Sequence, residues 1–305
     1  MVMDELSPSS VYLNPLTDFG FKKLFYNELN KDLLIHFLNE FIQGEHIVDI
    51  QYRPAEQLGE WEQERRATFD IFCTNEKGEY FIVEMQRARQ EFFADRALFY
   101  STFPIRNQAP KGKEWNYELK AVYFVAILDF VLFEEKGDED YVVERVHLLR
   151  ERTKTKFSEK LSFIFVELPK FSKPVEALRT NADRWLYSLK NLARLNNRPP
   201  EVRGRIFKKL FEAAQIKMLT PNEMEEYKKS ITDYYDVRSA ITYAEKRASE
   251  KAEERGRMKG RIEGREEGRE EIVQHCAFLG MPVEEIAKVT NLSVGQVMKL
   301  LQNKQ

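Results

Sequence analysis

Two acidic residues on neighbouring predicted strands have the types and spacing best suited to chemistry. Residues 67–73 and 79–86 have the β-branched and aromatic composition of strands, and the turn-forming residues 74–78 separate them. Because side chains alternate along a strand, a hairpin with this turn places Asp70 nearly opposite Glu84, with Cβ atoms about 5 Å apart. Two carboxylates this close repel each other unless a proton or a cation lies between them.

A divalent cation holds such a pair efficiently, and oxygen ligands of this kind suit Mg²⁺. The carbonyl group of Met85 lies between Glu84 and Gln86 along the strand and offers a third ligand. The side chain of Gln86 points to the same face as that of Glu84, where it can donate to a substrate oxygen or orient a water molecule. The alternative is that Glu84 is a solvated residue on an edge strand. Asp70 and Glu84 both interrupt apolar runs, however, and acids in such surroundings rarely lack a role.

The elements that must position these residues mix helical and strand patterns over the first half of the chain. Thr17 or Asp18 can cap a helix that runs to about Gln43. A second helix is predicted over 87–103. The apolar run 119–133 is too rich in β-branched and aromatic residues for a confident helix, so it predicts a buried central strand. Shorter strands are predicted at 47–52, 141–149 and 161–168.

The second half of the chain is predicted to be largely helical. Residues 220–223 form a capping box with proline at the first helical position. Gly-Arg pairs then recur every four residues from Gly256 to Arg269, and each interior glycine costs a helix about 1 kcal/mol. These costs predict a marginal, partly flexible helical connector. Two short helices follow, and their acidic character favours a small packing or dimer-forming unit over a helix-turn-helix that reads DNA.

Composition narrows the class of protein. With 305 residues, 43% of them apolar and 12% aromatic, the chain is expected to bury a core. Residues 1–150 carry a net charge of −10 and residues 151–305 one of +8. The acidic half fits a metal site and the basic half a polyanionic partner, although ordinary surface variation explains the difference equally well. The sequence contains no apolar membrane span, signal peptide or cysteine framework, so we expect a cytoplasmic protein.

Four motifs, in this order, point to a known family. They are the segment TDFGFKKLF at 17–25, the triplet Phe69-Asp70-Ile71, the segment FIVEMQ at 81–86, and Arg96 with Tyr100. The combination resembles the recombination-promoting nuclease / putative transposase family of the PD-(D/E)XK nuclease superfamily. The likeness extends from about Leu13 to the glycine–arginine repeats.

The resemblance implies an α/β fold with a restriction-endonuclease-like core of order αβββαβ, a mixed central sheet and a helical C-terminal extension. On this basis we expect five regions. They are a flexible tail (1–12), the nuclease core (13–170), a helical elaboration of the core (171–239), the charged Gly-Arg connector (240–272) and a small helical tail (273–305). The connector either presents a solvated face or pairs with its copy in a homodimer.

The resemblance also implies a function. The protein would be a Mg²⁺-dependent DNA endonuclease, with Mn²⁺ able to substitute, that hydrolyses phosphodiester bonds with a metal-activated water. It would promote recombination or accompany mobile DNA. One alternative is a DNA-binding or assembly module whose nuclease site is silent, and another is a nuclease directed at invading DNA.

Carried over from the family, Asp70 and Glu84 are metal ligands, and the Met85 carbonyl is the third ligand that the strand pattern offers. Gln86 stands where the wider superfamily has lysine, and glutamine cannot supply a positive charge. Lys22, from the first helix, is a candidate source of that charge. Asp18 is either an additional acidic ligand or the N-cap of its helix.

Three arginines follow the acidic motif. Arg87 and Arg96 are expected to contact DNA phosphates. Arg96 and Tyr100, four residues apart on a predicted helix, have the alternative of stacking on each other near the site. Arg89 is interpreted as part of a solvated helix face.

Overall fold

A six-stranded mixed sheet carries Glu84, and Asp70 lies directly before one of its strands, in the computed structural model, which describes residues 10–44, 46–57, 67–109, 115–138 and 140–302. The strands in chain order are β1 (Ile50–Tyr52), β2 (Glu56–Gln57), β3 (Ala67–Thr68), β4 (Ile71–Asn75), β5 (Tyr80–Gln86), β6 (Val122–Leu128), β7 (Val143–His147) and β8 (Leu161–Glu167). The order across the sheet is β1-β4-β5-β6-β8-β7, and β2 and β3 form a separate pair.

Helices cover both faces of this sheet. The helices of the whole described chain, in order, are α1 (Asp18–Phe25), α2 (Lys31–Phe41), α3 (Phe93–Arg106), α4 (Asn181–Asn191), α5 (Arg205–Ala213), α6 (Pro221–Phe278), α7 (Val283–Thr290) and α8 (Val294–Gln302), and those that pack on the sheet come from the part of the chain before Ala240. β1, β4 and β5 are antiparallel, whereas β5, β6 and β8 run parallel. With α1 and α2 before β1, and α3 between β5 and β6, the predicted αβββαβ order is confirmed.

The alternation of side chains along β5 divides its residues between two cores. Phe81, Val83 and Met85 pack with α1, α2, α4 and α5 on one face, around the fully buried Trp185. Ile82 packs on the other face with Phe93 and Ala97 of α3. Glu84 lies two residues beyond Ile82, so the same alternation directs it to the α3 face.

The prediction of one continuous helix over 17–43 is wrong, because the structure has two helices there. α1 ends at Phe25, and α2 begins only at Lys31. Asn27 interrupts the helix because its side chain accepts a hydrogen bond from the Leu29 N–H and so caps a separate 3-10 turn over Glu28–Asn30. A short polar side chain of this type competes with helical hydrogen bonding.

Two further boundaries differ from the sequence prediction. α3 begins at Phe93, so Arg87 and Arg89 lie on the connection that leaves β5, and only Arg96 is helical. β6 ends at Leu128 rather than near 133. The chain turns there because the buried carboxylate of Glu167 accepts hydrogen bonds from the backbone N–H groups of Leu132 and Phe133.

The first turns of α6 are fixed to the sheet and to α1. Tyr234 donates to the Asp129 carboxylate at the end of β6 (2.9 Å), and Ser230 accepts from the Phe19 N–H (3.0 Å). Reciprocal hydrogen bonds between Thr220 and Glu223 confirm the predicted capping box at the start of α6. Through these contacts the start of α6 is held beside α1.

The chain divides into two units, Met1–Ser239 and Ala240–Gln305. In the second unit the Gly-Arg repeats are helical, as part of α6, and α7 and α8 pack on the end of that helix through Val273, Ile286 and Val297. No helix among the described residues is long and apolar enough to cross a membrane. Residues 1–9 of the predicted flexible tail lie outside the described residues.

Gly20 gives a test of how α1 is fixed. A Cβ atom at this position would lie 2.1 Å from the backbone oxygen of Asn14. We expect Gly20→Ala to lower the free energy of unfolding by at least about 2 kcal/mol, because the backbone must move to relieve the overlap. Urea unfolding followed by circular dichroism measures the change.

The matched substitution is Gly260→Ala, where no atom lies within 4 Å of the added Cβ. This change should stabilise helix α6 by about 1 kcal/mol, because alanine has the higher helix propensity. A Gly20→Ala protein as stable as the wild type would contradict the packing described for α1.

Candidate active site

Asp70 and Glu84 meet where the ladder between β4 and β5 ends. The last paired residues are Ile71 and Val83, and beyond them the chain turns away, with the Phe69 N–H bonded to the Ala55 carbonyl (3.0 Å). In an uninterrupted ladder the Met85 N–H would donate to residue 69. It donates instead to Asp70 Oδ2 (2.8 Å).

The two acids are further linked by a second contact. The Asp70 N–H donates to Glu84 Oε1 (3.2 Å), so each carboxylate accepts a backbone N–H from the strand that carries the other. The structure therefore brings together the two residues that the hairpin pattern paired. The Asp70 carboxylate reaches this position because it replaces a backbone hydrogen bond that is missing from the ladder. The alternation of side chains alone does not predict this replacement.

Burial raises the pKa of both carboxyl groups. The pKa of Glu84, whose side chain is 3% exposed, is raised by burial and then by the nearby charge of Asp70. Burial also raises the pKa of Asp70, although the Met85 N–H and the charge of Lys22 act in the opposite direction. Without a cation the pair therefore favours holding a proton.

Met85 and Gln86 lie as the hairpin pattern predicts, and each has a definite role in the geometry. The N–H and C=O groups of a strand residue point to the same neighbouring strand, so the Met85 carbonyl faces the gap in which Asp70 lies. Gln86 Nε2 donates to Glu84 Oε2 (3.0 Å). The side chain of Gln86 thus restrains the Glu84 carboxylate.

α1 places Asp18 and Lys22 at the edge of this site. They form an ion pair (2.8 Å), with side chains 51% and 44% exposed. Thr17, not Asp18, is the N-cap of α1, because its side chain accepts from the Gly20 N–H. Lys22 lowers the pKa of Asp70 and Asp18 raises it, so both charges act on the site from α1.

Arg96 approaches the acids from α3. Its Nη2 lies 3.7 Å from Glu84 Oε2, and its Nη1 donates to Gln90 Oε1 (2.6 Å). The guanidinium carbon is 5.1 Å from the ring centre of Phe93 and 5.5 Å from that of Tyr100. The stacking expected between Arg96 and Tyr100 is present, and it does not exclude the contact with Glu84.

The contact of Phe93 with Arg96 was not predicted from the sequence. Phe93 lies three residues before Arg96 on the same helix, and residues three apart are neighbours on a helix surface. This spacing was the signal in the sequence from which the contact could have been predicted. The contact between Gln90 and Arg96 had no comparable signal, because Gln90 lies before the helix begins.

Arg87 and Arg89 separate after β5. Arg87 lines a cavity of about 510 Å³ between α1 and the start of α6, and its Nη1 is buried without a hydrogen-bond partner among the described residues. Lysines from both helices line the same cavity, as do acids, so its charge is mixed. Arg89 pairs with Glu134 at the surface, in agreement with the solvated role predicted for it.

Comparison with known families decides the kinship of the chain. A family profile described as "PD-(D/E)XK nuclease family transposase" matches residues 15–244, about three quarters of the sequence. The chain belongs to this family. Neither the comparison with curated proteins nor the comparison with solved structures yields a match. The nucleases of the PD-(D/E)XK superfamily generally use divalent metal ions such as Mg²⁺, and kinship with them implies a DNA substrate.

The donor set of this family member fits such a metal. No cluster of three or more His, Cys, Asp or Glu residues that could hold a metal ion occurs in the described part of the chain. The available donors are two carboxylates and a backbone carbonyl, and Mg²⁺ is commonly bound by one or two carboxylates while it keeps several waters. The raised pKa values show that the paired acids lack a full countercharge, which a divalent cation supplies.

The raised pKa of Glu84 predicts how the stability of the metal-free protein depends on pH. A carboxyl group whose pKa is higher in the folded than in the unfolded state costs stability as the pH rises from the unfolded value through the folded one. Glu84→Gln removes this cost, so in EDTA the variant should exceed the wild type in stability at about pH 8 by on the order of 1 kcal/mol. The difference should shrink toward about pH 5.

Urea unfolding at both pH values measures this effect. Asp18→Asn is the control, because the exposed side chain of Asp18 gives up no comparable hydration on folding. A Glu84→Gln variant less stable than the wild type at high pH would show that the Glu84 carboxylate is already compensated without a metal.

Proposed function

We propose that this family member is a Mg²⁺-dependent DNA endonuclease and that Asp70 and Glu84 are its metal ligands. The observation that carries the proposal is the meeting of these two buried acids at the end of the β4–β5 ladder. Mn²⁺, which takes similar oxygen ligands, is expected to substitute for Mg²⁺.

The residues of the chain divide the work of hydrolysis among them. Asp70, Glu84 and the Met85 carbonyl hold the cation, which when bound neutralises phosphate charge and lowers the pKa of a water molecule. The Met85 N–H fixes one oxygen of Asp70 and leaves the other without a hydrogen bond from any described residue. Gln86 orients Glu84 through its amide, so the ligands are positioned before substrate arrives.

DNA binding is assigned to the basic residues that flank the acids. Nη1 of Arg87 is buried beside the cavity between α1 and α6 and has no partner in the described part of the chain, so a phosphate oxygen would satisfy it. Lys22 and Asp18 stay candidates for charge and ligation at the site, since both act on Asp70. Arg96 is the second phosphate contact.

The biological setting belongs to the same proposal. Promotion of recombination, or association with mobile DNA, rests on the transposase family to which the chain belongs. The cytoplasm as compartment and a homodimer as assembly are part of this proposal. A non-catalytic DNA-binding or assembly module with a silent site is the alternative, and the experiment below separates it from the enzyme.

Plasmid cleavage tests the proposed enzyme. Asp70→Asn and Glu84→Gln should each lower the cleavage rate at least about 100-fold, because the cation supplies several kcal/mol of transition-state stabilisation. EDTA should abolish cleavage by the wild type. Glu134→Gln, at the surface partner of Arg89, is the matched control and should cleave normally.

Two outcomes would contradict the assignment. Undiminished cleavage by Asp70→Asn would show that Asp70 and Glu84 do not form the active site. DNA binding without cleavage in Mg²⁺ or Mn²⁺ would favour the silent module.

The salt dependence of DNA binding tests Arg87. In EDTA, which prevents cleavage, Arg87→Gln should weaken binding about tenfold and lower the slope of log K against log salt by about 1, because one phosphate contact is lost. Fluorescence anisotropy with a labelled duplex measures both. Arg89→Gln should leave both quantities unchanged, because Arg89 is occupied by Glu134. If Arg87→Gln and Arg89→Gln had equal effects, Arg87 would act in DNA binding only through the general surface charge and not through a specific phosphate contact.

A further inference from the structure

Buried donors without acceptors concentrate beside the candidate active site. Among the described residues, five buried side-chain nitrogen or oxygen atoms have no hydrogen-bond partner. Three of the five belong to two arginines, namely Nη1 of Arg87 and Nε and Nη2 of Arg96. Buried polar groups are nearly always hydrogen-bonded, so this concentration indicates that an acceptor belongs here that the described residues do not provide.

The free donors of Arg96 form one edge of its guanidinium group. Nη1 is already used by Gln90, whereas Nε and Nη2 together make the side-on edge that grips two oxygens of a phosphate or carboxylate. Glu84 does not fill this edge, because its Oε2 is 3.7 Å from Nη2, too far for a hydrogen bond, and accepts from Gln86 instead.

The rings beside Arg96 add to its placement. Phe93 and Tyr100 contact the guanidinium group through their rings and accept no in-plane hydrogen bond. The side chain as a whole is 24% exposed, but Nε and Nη2 are themselves buried, so an anion that binds this edge must displace the side chains that cover it. Because arginine keeps its proton in proteins, the positive charge is permanent.

The other candidates for this charge are engaged elsewhere. Gln86 is neutral and restrains Glu84. Lys22 is half-exposed and already paired with Asp18 at 2.8 Å. Arg96 alone among these three residues combines a positive charge, contact with Glu84 and donors that lack acceptors.

We infer that Arg96 is the catalytic cation of the Asp70–Glu84 site and that its free edge binds two non-bridging oxygens of the scissile phosphate. The inference rests on the proposed function and deepens it. Water forms the new bond to phosphorus as the bond to the leaving 3′ oxygen breaks. One proton passes from the attacking water to solvent, and another reaches the leaving oxygen from solvent. Arg96 gives up no proton and donates its two hydrogen bonds throughout.

Cleavage kinetics of Arg96→Gln and Arg96→Lys test the inference. Both variants should lower kcat at least about 100-fold while the Kd for DNA in EDTA rises no more than about tenfold, as for the loss of one phosphate contact, because the contact strengthens further as charge develops in the transition state. Lysine should fail because it offers no two-donor edge. Arg89→Gln is the control with normal kcat, and Lys22→Gln should lose less than about tenfold.

A structural role for Arg96 would give a different pattern, so three readouts accompany the kinetics. Calorimetric titration with Mn²⁺ alone should show binding to Arg96→Gln at least as tight as to wild type, because a cation beside Glu84 is gone. Titration of the metal-free protein with inorganic phosphate should show binding that Arg96→Gln loses. Millimolar guanidinium ion should restore part of the cleavage by Arg96→Ala, since the space between Phe93 and Tyr100 would admit it.

The outcomes that overturn the inference differ from those that overturn the proposed function. If wild type cleaves and Arg96→Gln cleaves equally well, or if Lys22→Gln alone abolishes cleavage, Arg96 is not the catalytic cation. Loss of Mn²⁺ binding or folding in Arg96→Gln, without guanidinium rescue of Arg96→Ala, would also reject it in favour of a packing role. If wild type does not cleave at all, the proposed function fails, and the phosphate titration still decides whether Arg96 binds an oxyanion.

Discussion

The site depends on a single exchange of hydrogen-bond partners at the end of the β4–β5 ladder. An interior strand residue needs an acceptor for its N–H, and Met85 loses the backbone acceptor when the chain turns away at Phe69. The Asp70 carboxylate takes that place. The contact that completes the backbone of β5 therefore also fixes the first candidate ligand, so the position of Asp70 is coupled to the integrity of the sheet itself.

The rest of the fold compensates for the destabilising effect of two buried carboxylates that lie close together. Burial raises the pKa of both carboxyl groups and the charge of Asp70 raises that of Glu84 further, so an isolated pair would be destabilising. β5 withstands this because it lies inside the sheet, with β4 on one side, β6 on the other and apolar cores above and below. The acids occupy the end of the strand, where the cores give way to polar side chains from α1 and α3. This distribution is typical of a site at which function requires a local loss of stability.

Much of this arrangement was predictable from sequence because it depends on local periodicity. The strand β5 and the capping box of α6 follow from alternation and cap chemistry, whereas the order αβββαβ was implied by the family resemblance. The opposition of Asp70 and Glu84 follows from the same alternation. The interruption of the first helix was not predictable in this way, because it depends on the hydrogen bond that the Leu29 N–H donates to the Asn27 side chain, which competes with a good apolar periodicity. The contacts of Arg96 were harder still to predict from the sequence, because they join residues of β5, of the connection that follows it and of α3.

The identity of residue 86 shows why such tertiary surroundings matter. A lysine on β5 would place its charge on the strand that carries Glu84, and its position would follow from the strand register alone. Glutamine at that position keeps a donor for Glu84 and removes the charge. A cation from α3 then has to be positioned by contacts outside the strand, and for Arg96 these are two aromatic rings and the Gln90 amide. Because the guanidinium group is planar, those contacts set the direction of its free edge as well as its location. A charge carried by a neighbouring helix therefore demands more supporting residues than one on the strand, and in return it offers two directed donors instead of a single ammonium group.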